Sequence, residues 1–266
     1  EYSGAMEDYL KSLKLKKSYE GYLNRAVLRM MQGDFDRALL DLDSAELLNQ
    51  TRAGVDINKG IIYYEKGEFN KALNFFNKAI EKEPQNYKPY IGRGKCYQAL
   101  DNYYKALGDF NFSLKLKKTF EGYINRSTLK IVLKDFKGAL NDLENAKLLN
   151  PYRPEIFLNS GIIEMENKNY QKAREDLLKA CDLDSLNYKN HLYLGILNYL
   201  IGEYDSAIIY LKKSIKLKHN REAIFYLGKI YLNNNNTIEA CKNFNEAALN
   251  KHKEAIEIFE KICKDK

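Results

Sequence analysis

Histidine, cysteine and lysine are the side chains here that could do chemistry, and their spacing decides which chemistry. The 266-residue chain carries three histidines, His191, His219 and His252. A general base works only within reach of the group whose proton it takes. No Ser/His/Asp or Cys/His grouping, glycine-rich phosphate loop or carboxylate pair stands outside the pattern of the rest of the chain. The sequence therefore predicts no enzyme, no catalytic residue, no metal site and no cofactor. The four cysteines, Cys96, Cys181, Cys241 and Cys263, show no CxxC pair and no metal-ligand spacing. Each falls in a helical apolar pattern, which predicts reduced, packed thiols and an intracellular, cytoplasmic protein. Lysines gather in three clusters: Lys14, Lys16 and Lys17; Lys115, Lys117 and Lys118; Lys216 and Lys218 with His219. Such charges complement the carbonyl end of a helix. On a chain of net charge +7 they could also attract an acidic partner such as a tubulin tail. No aromatic platform is interleaved with them, so nucleic acid ranks below protein as a partner.

Apolar residues make up 45% of the chain, ample for a core. No run of about 18 apolar residues occurs, so no membrane span is predicted. The first residue is Glu1, and the chain reads as a piece of a longer one whose leader could have been lost.

The elements that carry these residues repeat. Residues 12–26, SLKLKKSYEGYLNRA, return at 113–127 as SLKLKKTFEGYINRS, and a third copy opens SIKLKH at Ser214, each 101 residues on. Inside this period lies a shorter one. An alanine recurs at Ala5, Ala38, Ala72, Ala106, Ala139, Ala173, Ala207 and Ala240, at spacings of 33 or 34. Three residues earlier comes an aromatic, from Tyr2 and Phe35 to Tyr204, broken only by Thr237. Seven residues later comes a small residue, from Ser12 and Ala45 to Ala247. Twelve residues earlier lies another, from Ala26 and Gly60 to Gly228. Small residues let two helices approach closely, and large apolar residues such as Leu42, Phe76 and Phe110 fill the space between them at helical spacing. Each unit is therefore predicted to be two antiparallel helices joined by a tight turn, GDF at 33–35, GEF at 67–69 and GEY at 202–204. One such pair cannot bury its apolar face, so stability requires stacking.

This period and its columns resemble the tetratricopeptide repeat over essentially the whole chain. The resemblance implies an all-α, α-α superhelix of about seven full repeats, with a half-repeat before them and a C-terminal capping helix after. Residues 1–18 form the second helix of the partial repeat. The full repeats run about 19–52, 53–86, 87–119, 120–153, 154–187, 188–220 and 221–254, and the cap covers 253–266. There Ala255, Ile256, Phe259, Ile262 and Cys263 share one face. The departures are Asp56, His191 and Ile224 where the family has a large aromatic, and a family proline kept only at Pro84 and Pro151.

The resemblance further implies that the first helices line a concave groove, with an asparagine two residues before the small slot contacting ligand backbone. Those residues are Asn24, Asn58, Asn125 and Asn159; the other repeats have Gly92, Tyr193 and Tyr226. An amide both donates and accepts, which suits that task. Apolar slots run beside them, including Ile61 and Ile162, with Tyr64 and Tyr199 one turn on; they either pack helix on helix or form an exposed interaction strip. Chaperone-binding members of the family clamp a C-terminal carboxylate with lysine and asparagine. Here the lysine slot holds Leu23, Ile57, Ile91, Ile124, Leu158, Leu192 and Phe225, so no such clamp is expected. The expected function is a protein-interaction scaffold whose groove, across repeats one to five, holds a peptide or helix of a partner. Two alternatives stand beside it: a structural segment of a large assembly docked by its edges or basic turns, and a regulatory arm of an enzyme whose catalytic part lies elsewhere. The texture of the chain also resembles large repeat proteins of cilia and axonemes, which would place it in the cilium or cytoskeleton.

Overall fold

The computed structural model describes the backbone of residues 2–264 and the side chains of residues 6–264. Tyr2 and Ala5, which open two of the columns, lie outside the described side chains. Among the described residues there are sixteen α-helices and no strand. They fall into two compact units, Glu1–Lys134 and Asp135–Lys266.

The first unit holds α1 (Tyr2–Leu15), α2 (Tyr19–Met31), α3 (Phe35–Leu48), α4 (Gly54–Glu65), α5 (Phe69–Lys82), α6 (Tyr87–Ala99), α7 (Tyr103–Leu116) and α8 (Phe120–Val132). Helices α2 and α3, α4 and α5, and α6 and α7 pack as close pairs, and each first helix also touches the next first helix, α2 on α4, α4 on α6 and α6 on α8. The second unit holds α9 (Phe136–Leu149), α10 (Pro154–Glu166), α11 (Tyr170–Leu183), α12 (Tyr188–Leu200), α13 (Tyr204–Leu217), α14 (Arg221–Asn233), α15 (Thr237–Leu249) and α16 (Lys253–Ile262). Its close pairs are α10 with α11, α12 with α13, and α14 with α15; α16 lies against α15.

Local chemistry sets the helix ends. Ser18, Thr119 and Asn220 accept a hydrogen bond from the backbone N–H three residues on, at Gly21, Gly122 and Ala223. Asp34, Asp135 and Asn236 do the same for second helices. Each series steps by 101 residues, and each such cap is worth about 1 kcal/mol. Helix α4 is preceded by Ala53, which has no capping side chain; the Glu83 carboxylate supplies the acceptor to the Ala53 N–H at 3.0 Å. That hydrogen bond, with a second from the Asn86 amide, lowers the Glu83 carboxyl below its ordinary value. The inter-helix turn needs one residue at positive φ. Gly33, Gly67 and Gly202 supply it without strain, whereas Asp101, Lys134, Lys168 and Asn235 adopt it at φ between 58° and 61°.

The predicted small-residue and large apolar columns form the core, while the aromatic column, from Phe35 to Tyr204, is only half-buried. Ala38, Ala72, Ala106, Ala139, Ala173, Ala207 and Ala240 are fully buried, as are Leu42, Phe110 and Phe244. A Cβ on Gly60 would stand 2.7 Å from Phe76 Cε1, so the ring lies directly against the α4 backbone and only glycine leaves room for it. Burying such a side chain stabilises by about 1.5–3 kcal/mol.

Two departures from expectation concern cysteine and the last helix. Cys96 and Cys181 are free, and burial raises their thiols, to about 12 and about 11. Cys241 and Cys263 are instead joined by a disulfide that ties α15 to the end of α16. The expectation of four reduced thiols is thus corrected for this pair. Two cysteines 22 residues apart on separate helices carry no local motif, and packing of α16 on α15 brings their Cα atoms to 5.5 Å. On α16, Ala255 is buried and Glu257, Glu260 and Lys261 face solvent as the pattern predicts, but Ile256 is 38% exposed.

Candidate partner-binding surfaces

In the first unit the first helices line two neighbouring cavities. One, of about 250 Å³, is walled by Ile57, Ile61 and Tyr64 of α4 and by Tyr87, Ile91 and Lys95 of α6, with Phe76 and Gly92 at its base and Glu121 of α8 beside it. Gly92 is the gap in the asparagine column, and the gap has a cause. A Cβ there would fall 2.3 Å from Phe76 Cζ, so the ring excludes any side chain. Burial raises the Tyr64 hydroxyl, and the Lys95 ammonium sits 4.6 Å over its ring. The second cavity, of about 440 Å³, is bounded by Leu23, Val27, Asn58 and Ile61.

In the second unit α10, α12 and α14 enclose about 640 Å³, lined by Ile162, Met165, Glu166, Leu192, Tyr193, Ile196, Glu222 and Tyr226 among others. Burial, then the Glu222 carboxylate, raises both tyrosine hydroxyls, that of Tyr226 to about 12. Both therefore stay protonated donors at neutral pH. Tyr199 meets the Tyr226 ring edge-on at 5.3 Å, and Lys229 lies over both.

The four asparagines do not form a uniform ladder. Asn24 is exposed and Asn125 half-buried. Asn58 spends an N–H on the Gly54 carbonyl at 2.9 Å, one turn back on its own helix. Asn159 is 6% exposed, a buried polar side chain rather than an open groove contact. The apolar slots divide too. Ile57, Ile91, Leu158, Leu192 and Ile196 are buried between helices, while Val27 and Ile61 stand 38% and 36% exposed.

The lysines of the three basic turns are all exposed. Lys117 and Lys218, 101 residues apart, each rest 5.1 Å over the tyrosine that opens the preceding first helix, Tyr87 and Tyr188. His191 is buried, its Nε2 2.9 Å from the Ser185 carbonyl, and serves packing. Among the described residues no group of three or more His, Cys, Asp or Glu could hold a metal ion, and no helix is long and apolar enough to cross a membrane.

One set of residues was missed from sequence. Arg25 forks onto the carboxylate of Asp41, where Arg29 also binds, and Arg93 forks onto Asp109. Both pairs join first helix to second across a separation of 16. An arginine recurring 16 residues before an aspartate was the available signal.

Helical pairs with small residues at each crossing, stacked first helix on first helix, define a solenoid of α-α repeats. Family models of the tetratricopeptide repeat match residues 57–86 and 154–185. These two stretches are tetratricopeptide repeats, and the remaining helical pairs are built in the same way. It is 28% identical over 170 residues to human tetratricopeptide repeat protein 6, covering 64% of this chain and 31% of that one. It is 26% identical over 250 residues to BBSome complex member BBS4 of Bos taurus, covering 93% and 48%. The chain thus spans half or less of the length of these relatives. Among solved structures it superposes on the APC/C hetero-tetramer Cut9-Hcn1 with a TM-score of 0.83, over 99% of this chain and 53% of that one. At 16% identity this likeness speaks to the fold alone.

Proposed function

We propose that the chain is a protein-interaction scaffold whose first-helix grooves take an apolar, amphipathic segment of a partner protein. The observation that carries this reading is the cavity of the first unit, in which Ile61 stands 36% exposed above the Phe76 ring, with Tyr64 and Lys95 at its side. An open apolar cavity with a few polar groups on its rim suits a side-chain anchor, and a few anchors carry most of an interface's affinity. Asn58 lines the neighbouring cavity, and Tyr193 and Tyr226 offer protonated hydroxyls in the second unit. One relative, BBS4, is named as a member of a complex, which supports a place in a larger assembly; a ciliary one is tested by looking for the chain in isolated axonemes.

The test compares two variants in partner capture read by mass spectrometry at low and high salt. Asn58→Ala with Ile61→Ala removes groove contacts. Lys115→Ser, Lys117→Ser and Lys118→Ser remove a basic turn. Groove-held partners are lost with the first variant and persist in salt, because apolar contacts are not screened. Loss with the lysine variant alone replaces this reading with docking by the edges.

A further inference from the structure

The last turns of the second helices follow a rule that the groove reading does not use. Two and four residues beyond the small slot of each second helix stand Lys14 and Lys16, Leu47 and Asn49, Glu81 and Glu83, then Lys115 and Lys117. The second unit continues with Leu148 and Asn150, Asp182 and Asp184, Lys216 and Lys218, then Leu249 and Lys251. The order is basic, leucine, acidic, and it returns every three repeats. This is the outward face of the 101-residue period.

The structure leaves the first slot of each pair uncovered; in the second slot the lysines are exposed, whereas Asn49, Glu83, Asn150 and Asp184 are half-buried, and Asp184 accepts from the Leu186 N–H at 3.2 Å. Leu47, Leu148 and Leu249 are 82%, 84% and 77% exposed, far beyond what packing within a repeat explains. The neighbouring Leu149 is 50% exposed. Glu81, Lys115, Asp182 and Lys216 are all exposed and form no ion pair among the described residues. Leucines recurring at one slot, with charges of alternating sign between them, mark an interaction surface rather than scatter. A polyanion is a poor occupant, since acidic and apolar slots interrupt the lysines.

In the second unit the row is its own complement. It reads leucine, acidic, basic, leucine; turned end for end it reads leucine, basic, acidic, leucine. We propose that this edge pairs antiparallel with the same edge of a second copy of the chain. Leu148 then meets Leu249 of the partner copy, and Asp182 and Asp184 meet the partner's Lys216 and Lys218. The spacing of the two rows matches because they are one row, and a two-fold axis makes every contact twice. A parallel pairing would set like charge on like charge, so the direction follows from the order of the slots. This goes beyond the groove reading, and groove variants at Ile61 leave the pairing intact.

The experiment is sedimentation equilibrium of the whole chain, from about 1 to 100 μM, the range expected of a small interface below about 1,200 Å². The expected result is a reversible dimer of the 31.0 kDa chain. Asp182→Lys with Asp184→Lys alone is monomeric, and so is Lys216→Glu with Lys218→Glu alone. Mixed in equal amounts, these two proteins form a heterodimer, because each edge now meets its opposite. Leu148→Ser with Leu249→Ser weakens the dimer at least tenfold while circular dichroism shows unchanged helix. A wild-type chain that is monomeric throughout, a dimer indifferent to these variants, or a mixture that stays monomeric overturns the proposal.

Discussion

Arg93 and Asp109 occupy two slots that other repeats fill in different ways. The Asp109 carboxylate is 7% exposed and accepts two hydrogen bonds from the guanidinium, which also donates to Asn77. Repeat two has Lys59 and Phe75 there, repeat five Ser160 and Asp176, and repeat six Leu194 and Tyr210. Where the arginine is replaced by Ser160, burial raises the Asp176 carboxyl and one hydroxyl hydrogen bond offsets it only in part. A buried ion pair is costly to break from one side and cheap to exchange whole for apolar residues. Arg93→Leu alone should therefore cost about 2–4 kcal/mol, because it strands a buried carboxylate. Arg93→Leu with Asp109→Tyr, the pair that repeat six uses, should recover most of that loss. Urea unfolding midpoints of the three proteins check both statements.

The helices are short and individually marginal, so their ends and contacts decide which of them hold. Most first helices are clamped on both sides: α12 packs on α10, α11, α13 and α14. Helix α16 has contact chiefly with α15 and buries only Ala255 and Cys263 well. The Cys241–Cys263 disulfide supplies what packing does not. A closed loop of this length stabilises by about 3 kcal/mol in the chain-entropy picture. Reduction with a dithiol, or Cys241→Ser, should speed amide exchange in α16 and the last turn of α15 and leave α4 to α7 unchanged. Exchange that accelerates equally throughout, or not at all, would contradict this. The buried thiol of Cys96 and the half-buried thiol of Cys181, held up at about 12 and about 11, should resist alkylation under the same conditions.

For the whole molecule, the side chains at the family's carboxylate-clamp slots rule on partner chemistry. Ile57, Ile91, Leu158, Leu192 and Phe225 stand where a clamp needs lysine, and each is at most 8% exposed. A peptide carboxylate brought there would lose water and find no cation. A peptide ending in EEVD should therefore show no binding at micromolar concentrations by calorimetry. Micromolar affinity that is lost on amidating its C-terminus would refute this. Repeat architecture spreads stability over neighbouring pairs, so loss at one slot stays local.

The helices, their pairing and the buried columns were legible in the sequence because each depends on spacing along the chain. A small residue at every crossing and an aromatic three residues before an alanine recur with the period of one helical pair. The three-repeat period, with its caps at Ser18, Thr119 and Asn220 and its exposed leucines, was written there too, though only its lysines were conspicuous by charge. What tertiary structure alone decided depends on neighbours distant in sequence. Asn24 and Asn159 share a slot, yet one is exposed and the other buried, because the surrounding side chains differ. Gly92 breaks a column because the ring of Phe76, on another helix, fills its Cβ position. Cys241 and Cys263 meet because α16 folds back on α15. Periodicity records which face of a helix turns inward; it carries no record of how large the neighbour on that face will be.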